Sequence, residues 1–417
     1  TALKPSSLRD PSPGAWCPRV PLHAMKLARR LDHIAPFYVM ECAKAAAEIA
    51  RLPECDPTQG GTPMIYLNIG EPDFTAPPAV QAAAEAAIRA GRTQYTDANG
   101  LPALREALSG WYRQRFGLDI APERFVITAG ASGALQLASL ALFEPGDEVL
   151  MPDPAYPCNR HFVAAAGATA VSLPSGPAQR FQLNAGMVAD HWTAATRGVL
   201  LASPSNPTGT SISPDELAAI VHEVRRHGGV TVVDEIYLGL SYDERYGHSA
   251  LALGEDVISV NSFSKYFGMT GWRLGWLVLP PALVPAIERL AQNFYICPST
   301  LSQMAALAAF EPASIAEFER RRTVLRQRRD YIVDALNGLG LTVPVAPDGA
   351  FYAWMDVSRH HADSWAFAHE LLDKAQVALT PGRDFGRADP QRWMRLSFAS
   401  SMEDLQEAVA RLRGVLA

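Results

Sequence analysis

The sequence predicts an α/β fold: a mostly parallel sheet with helices on both faces, followed by a smaller α+β domain. Two observations carry this. From about residue 64, short β-branched runs alternate with helical stretches, and each run ends in a turn-forming segment. The second observation is bulk. At 417 residues, 48% hydrophobic and 19% charged, the chain can bury the core of two domains or of one large one.

Taken in order, residues 1–24 are rich in Pro, Ser and Arg, show no helical period and read as a loose extension. A helical pattern rich in Ala and Glu follows, about Pro36 to Arg51, and then a Pro/Gly loop over 53–63. Met64–Asn68 is a short strand. The sheet strands are Phe125–Thr128, Glu148–Met151, Val199–Ala202, Val230–Val233 and Val257–Val260, with helices that include Gly133–Leu142 and Pro214–Arg226 between them. A long charged helix is expected over 315–336, in which Arg320, Arg321, Arg322, Arg326, Arg328 and Arg329 form a solvated face. The expected division is an extension (1–24), the N-terminal part of a small domain (25–63), a large domain (64–312) and the C-terminal small domain (313–417). Neither internal repeats nor low-complexity segments are evident.

The formal net charge of −6 argues against a nucleic-acid partner. No apolar run approaches the roughly 20 residues of a membrane span. The five cysteines, Cys17, Cys42, Cys55, Cys158 and Cys297, are scattered and form no CxxC pair, which fits a reducing compartment and provides no zinc site. The histidines show no ligand spacing, so no metal is expected. Without the long apolar core of a secretory leader, the chain reads as cytoplasmic.

Lys265 is the most telling residue. Of 37 basic side chains only five are lysines, and Lys265 is the sole one between Lys44 and Lys374. Arginine can replace lysine as a surface charge but not as a nucleophile, because only an amine loses its proton near neutral pH and condenses with a carbonyl. Hydroxyls precede it at Ser262 and Ser264, and a fixed cation follows at Arg273. This suits an anchored aldehyde with a phosphate tail; a surface lysine is the plain alternative.

Other candidates sit just after strands. Asp234 ends Val230–Val233, where a buried carboxylate needs a cationic partner such as a protonated pyridine nitrogen; capping the next helix would also explain it. Asn206, in a tight turn after Val199–Ala202, and Tyr237 could both donate to a phenolate oxygen. The glycine-bounded Ala131-Ser132 opens a helix whose N–H groups would suit a phosphate. Tyr156 could stack on a planar ring or pack its own loop. Arg395, a guanidinium inside the apolar segment Trp393–Ala399, suits a substrate carboxylate or a structural ion pair.

Together these segments resemble the class I/II aminotransferases, fold type I enzymes that use pyridoxal 5'-phosphate (PLP). The resemblance runs from about Met25 to the C-terminus. It rests on Asn68-Ile-Gly-Glu-Pro-Asp-Phe74, Tyr95 before Gly100-Leu-Pro-Ala-Leu-Arg105, Asn206-Pro-Thr-Gly209, Asp234-Glu-Ile-Tyr237, Ser262-Phe-Ser-Lys265, Gly271-Trp-Arg273, Pro381-Gly-Arg-Asp-Phe385 and Arg395-Leu-Ser-Phe398, in this order. The resemblance implies a large PLP-binding domain and a homodimer that acts on amino acids and 2-oxo acids by a ping-pong mechanism. By this likeness Lys265 holds PLP as a Schiff base and, once freed, moves the α-proton. Asp234 pairs with the pyridine nitrogen, Asn206 and Tyr237 bond the phenolic oxygen, and Tyr156 stacks on the ring. Ala131, Ser132, Ser262, Ser264 and Arg273 hold the phosphate, which Tyr95 reaches from the other subunit. Arg395 binds the α-carboxylate with help from Asn206 and the backbone at Gly70.

Some features depart from the aspartate-selective pattern. Ser132 stands where such relatives in the bacterial branch tend to carry lysine, and Phe37 and Tyr38 are aromatic near the expected substrate pocket. Both favour an apolar or aromatic amino acid. PLP-dependent carbon–sulfur lyases and cyclising synthases share the cofactor residues and remain the alternative. Ser262-Phe-Ser-Lys265 also fits the S-x-x-K of serine acyl enzymes, but their S-D-N and K-T-G partners are missing. A non-enzymatic regulator on the same fold would be expected to carry a helix-turn-helix or basic module, and none is attached.

Overall fold

Local sequence sets each element before packing completes it. Helix Pro214–Arg226 shows how: the Ser213 side chain caps the Glu216 N–H, Pro214 stands in the first turn, acids follow and Arg225 and Arg226 close the last turn. The structure, a computed structural model, describes residues 26–416. The expected extension over 1–24 therefore lies outside the described residues. Arg29–His33 form one 3-10 turn in a unit of its own, and Pro36 begins the main unit.

In the main unit the strands are β1 (Ile65–Tyr66), β2 (Phe125–Thr128), β3 (Glu148–Asp153), β4 (Thr169–Pro174), β5 (Thr196–Ala202), β6 (Val230–Asp234), β7 (Ile258–Ser262), β8 (Gly275–Val278), β9 (Tyr352–Asp356), β10 (Val377–Ala378), β11 (Thr380–Pro381) and β12 (Trp393–Ser397). Seven make one sheet in the order β2-β8-β7-β6-β5-β3-β4. Every neighbouring pair is parallel except those of β8, which runs against both β7 and β2.

Apart from the edge strand β4, the strands of this sheet are buried on both faces, which is why they read as continuous apolar runs. Along β5 and β6 the period of two is visible. Leu200 and Val232 pack with Leu135 and Ala138 of helix Gly130–Leu142. Val199, Leu201 and Val233 pack on the other face with Leu217, Ile220 and Val224 of helix Pro214–Arg226. Two strands are absent from the sequence reading. β4 is a largely exposed edge strand, and β8 is four residues long and begins at a glycine. Helices Pro78–Arg89 and Pro102–Phe116 are further additions.

A second sheet, β11-β12-β9, is antiparallel, and β1 pairs with β10. Helix Tyr38–Ile49 is a turn shorter than the expected Pro36–Arg51, and the expected strand 64–68 shrinks to two residues. The long helix is Pro312–Gly338, extending beyond 315–336 at both ends. Its arginine face needs correction. Arg328 is buried, donating both terminal nitrogens to Asp73 at 2.8 Å and one to the Ala399 carbonyl. Arg321 and Arg322 bind the carbonyls of Thr75 and Ser241. This face ties the helix to distant loops, because an uncompensated guanidinium cannot be buried.

The topology fixes where chemistry can occur. β2, β3, β5, β6 and β7 all end at one edge, and β8 starts there because it runs the other way. Ala131 and Ser132 follow β2, Tyr156 follows β3, Asn206 follows β5, Asp234 ends β6 and Lys265 follows β7. Arg273 immediately precedes β8. Five segments distant in sequence, the last carrying both Lys265 and Arg273, thus meet at the carboxyl ends of the parallel strands.

Candidate active site

A cavity of about 400 Å³ opens at this edge. It is lined by Gly70, Ala131, Ser132, Tyr156, Asn206, Asp234, Tyr237, Ser262, Ser264, Lys265, Arg273 and Arg395, together with residues the sequence reading did not single out. Tyr95 does not line it; its side chain stands on the surface, 76% exposed. Tyr38 requires a correction. It was expected near the pocket, but its ring packs on Trp365 and under the Arg383 guanidinium, so only its neighbours Phe37, Val39 and Met40 reach the cavity.

Lys265 donates to the Gly70 carbonyl at 2.6 Å. Burial lowers its amine from the ordinary 10.5 to about 8, with Arg395 and Arg273 pushing the same way against Glu71 and Asp234. Asp234 lies at the cavity floor and accepts one backbone N–H, from Ile236 at 3.0 Å. Burial raises its carboxyl to about 7, more than that hydrogen bond and the nearby lysine hold it down. No salt-bridge partner lies within 4 Å among the described residues.

At the other end, helix Gly130–Leu142 begins without a side-chain cap, so its first N–H groups keep their binding capacity. Ser262 donates to Ser264 at 2.9 Å beside it. Gly130 has positive φ, and a Cβ there would come within 2.6 Å of an Arg273 terminal nitrogen. The guanidinium therefore passes directly over the helix start.

Arg395 is 2% exposed in the middle of β12. It donates to Asn206 Oδ1 at 2.8 Å and to the Asn68 carbonyl at 2.7 Å, while its Nε has no partner. None of its contacts among the described residues is to a carboxylate, which leaves the structural ion pair without a partner. Because Asn206 accepts from Arg395 through its oxygen, its amide N–H₂ remains available as a donor.

Two lining residues carried no signal that was used. Tyr352, in β9, has its hydroxyl 2.8 Å from that of Tyr237 and its ring 4.4 Å from the Arg395 guanidinium carbon. Its place two residues before Trp354, the β12 partner of Arg395, puts it on the same face of the small sheet as the arginine, which the register alone would have shown. Glu71 bonds the Thr270 hydroxyl, joining the Gly70 loop to the β7–β8 connection.

The donor set matches a phosphorylated pyridine aldehyde. It offers an amine of lowered pKa, a buried carboxylate lacking a cation, a ring-sized aromatic in Tyr156, two donors toward a phenolate and an uncapped helix start with a guanidinium over it. The comparisons with known proteins agree. A model for aminotransferase class I and II matches residues 62–412, and the chain belongs to that family. A valine–pyruvate aminotransferase of Mycobacterium tuberculosis is 42% identical over 380 residues, covering 91% of this chain and 96% of that protein. An aspartate/prephenate aminotransferase of Thermus thermophilus is 34% identical over 392 residues, covering 94% and 98%. Among solved structures, an aminotransferase from M. tuberculosis superposes with a TM-score of 0.89 at 41% identity, covering 94% of this chain and 99% of that one. An aspartate aminotransferase from T. thermophilus with maleate superposes at 0.87 and 34% identity, covering 94% and 100%.

The protein is thus a PLP-dependent aminotransferase that moves an amino group from an amino acid to a 2-oxo acid.

Proposed function

We propose that the amino donor is an apolar L-amino acid. The observation that carries this is the charge of the cavity lining. Its cations are Lys265, Arg273 and Arg395, and each has a task in the proposed site. None is left for a second carboxylate, and Glu71 adds a negative charge. Phe37, Val39, Met40 and Ile69 supply an apolar wall. The valine–pyruvate relative supports this reading.

In the proposed site Lys265 holds the cofactor covalently, and its freed amine carries the α-proton as general base and acid. Bound PLP supplies an electron sink for the pair left at the α-carbon. Asp234 holds the pyridine nitrogen protonated, since a cation opposite restores the charge that burial disfavours. Asn206 and Tyr237 donate to the phenolic oxygen, and Tyr156 packs on the ring with Phe37 edge-on behind it at 6.2 Å. The N–H groups at Ala131 and Ser132, the hydroxyls of Ser262 and Ser264, and Arg273 hold the phosphate. Arg395, with Asn206 and the Gly70 backbone, orients the substrate α-carboxylate.

The same reading makes the protein a cytoplasmic homodimer without nucleic-acid or membrane partners. Exposed Tyr95 then reaches the phosphate of the other subunit. Among the described residues no helix is long and apolar enough to cross a membrane. Light scattering at micromolar concentration should give a dimer; a fully active monomer would remove Tyr95 from the site.

The donor is tested by mixing holoenzyme with single amino acids and following the cofactor absorbance. Valine, leucine, methionine or phenylalanine should react about 10–150-fold faster than aspartate, the value of one missing charged hydrogen bond. Aspartate reacting fastest would overturn the assignment.

A further inference from the structure

We propose that Tyr352 is a positioning residue that sets the proton affinity of the cofactor site through Tyr237. This rests on the cofactor role given to Tyr237 above.

The number of protons on the two phenols sets the direction of donation. Tyr352 and Tyr237 are both buried, and their hydroxyl oxygens lie 2.8 Å apart. Among the described residues each hydroxyl has only the other as a hydrogen-bond partner. Each phenol has one proton. If Tyr237 gives its proton to the phenolic oxygen of the cofactor, it has only lone pairs left for its neighbour. Tyr352 must then donate to Tyr237, forming a chain of two hydrogen bonds that run the same way. Such chains polarise one another, so Tyr237 becomes a stronger donor than it would be alone.

The surroundings fix this chain. The guanidinium of Arg395 lies over the Tyr352 ring at 4.4 Å, where its charge draws electron density from the phenol and strengthens O–H donation. Gly70 leaves space for the hydroxyl; a Cβ there would collide with it. The rings of Tyr237 and Tyr352 meet at 82°, with centroids 5.7 Å apart, so neither can turn away without losing packing. Tyr352 thereby links the arginine proposed for substrate binding to the donor proposed for the cofactor.

The holoenzyme absorbance, titrated with pH, reads this without turnover. Stronger donation to the phenolic oxygen stabilises its anion and lowers the pKa of the adjoining nitrogen. Tyr352→Phe keeps the ring beneath Arg395 and removes only the donor, so this pKa should rise by about 0.5 unit. Tyr237→Phe should raise it further. In the Tyr237→Phe background, adding Tyr352→Phe should change nothing. KM for the amino acid should stay within about twofold in Tyr352→Phe, while kcat falls several-fold. If Tyr237→Phe shifts the titration and Tyr352→Phe does not, the proposal is wrong. It is also wrong if the Tyr352→Phe shift persists undiminished without Tyr237. If Tyr237→Phe itself leaves the titration in place, the cofactor role of Tyr237 fails first and the relay has no basis.

Discussion

The two walls of the cavity are made from different backbone. One is a row of strand ends: β2, β3, β5, β6 and β7 each stop at the same edge and deliver one to three side chains or N–H groups there. The opposite wall comes from inside elements. Arg395 sits mid-strand and Tyr352 opens a strand in an antiparallel sheet, and Phe37, Val39 and Met40 sit where helix Tyr38–Ile49 begins. The first wall carries the groups proposed to grip the cofactor. The second carries the groups proposed to meet the substrate. A strand end holds a residue rigidly whatever its neighbours do, which suits a cofactor that never changes. A wall packed from side chains changes with each neighbour, which suits a substrate that differs between relatives.

The largest effect should come from the first wall. Lys265→Ala should lower turnover at least about a thousand-fold while the phosphate groups still retain PLP. Borohydride reduction of the wild-type holoenzyme should label a peptide containing Lys265; a label on another lysine would break the assignment of that wall.

Next come two arginines, one from each wall. Arg395→Lys keeps the charge but loses the forked geometry, so kcat/KM should fall about 10–150-fold with PLP affinity nearly unchanged. Arg273→Lys should do the reverse and weaken PLP. Equal effects on both quantities in both variants would erase the distinction between the walls.

The pH dependence is subtler. Only the neutral amine adds to an aldehyde. With the Lys265 amine lowered to about 8, chiefly by burial, its neutral fraction climbs through that pH and then levels off. Capture of PLP by the apoenzyme, followed by stopped-flow absorbance, should therefore accelerate about tenfold per unit below 8 and flatten above it. Acceleration continuing to pH 10 would show an ordinary, solvated lysine.

The smallest effect tests the second wall. Asp384 is fully buried and accepts the N–H groups of Tyr38 at 3.1 Å and Val39 at 2.9 Å, capping a helix that has no side-chain cap at Phe37. Asp384→Ala should cost about 1–2 kcal/mol in denaturant unfolding and raise KM more than it weakens PLP, because the loosened turn carries Phe37, Val39 and Met40. An unchanged KM would show that this turn does not shape the substrate wall.

The same contrast explains what could be read in advance. Asp234, Asn206 and Lys265 were legible as candidates because each lies at or a few residues beyond the end of an apolar run, where a parallel sheet places its site. Arg395 was legible as a charge within such a run. Tyr352 was not, since a tyrosine between Phe351 and Ala353 looks like any strand aromatic until its register with β12 is known. Phe37 and Tyr38 were read together, but helix geometry sends one into the cavity and the other onto Trp365. Arg328 misled for the opposite reason: its pairing with Asp73 spans 255 residues, and no local pattern reports so distant a partner.

The reversed strand β8 has a consequence for assembly during folding. Because it doubles back beside β7, Lys265 and Arg273 are joined by a connection of only a few residues, whereas Arg395 finds Asn206 across 189. Loop closure grows with the logarithm of length, so the second encounter is entropically dearer by roughly 3 kcal/mol. Contacts of low sequence separation also form sooner. The Lys265 amine and the Arg273 guanidinium thus come together as a local event, and Arg395 is recruited only when nearly the whole chain is in place.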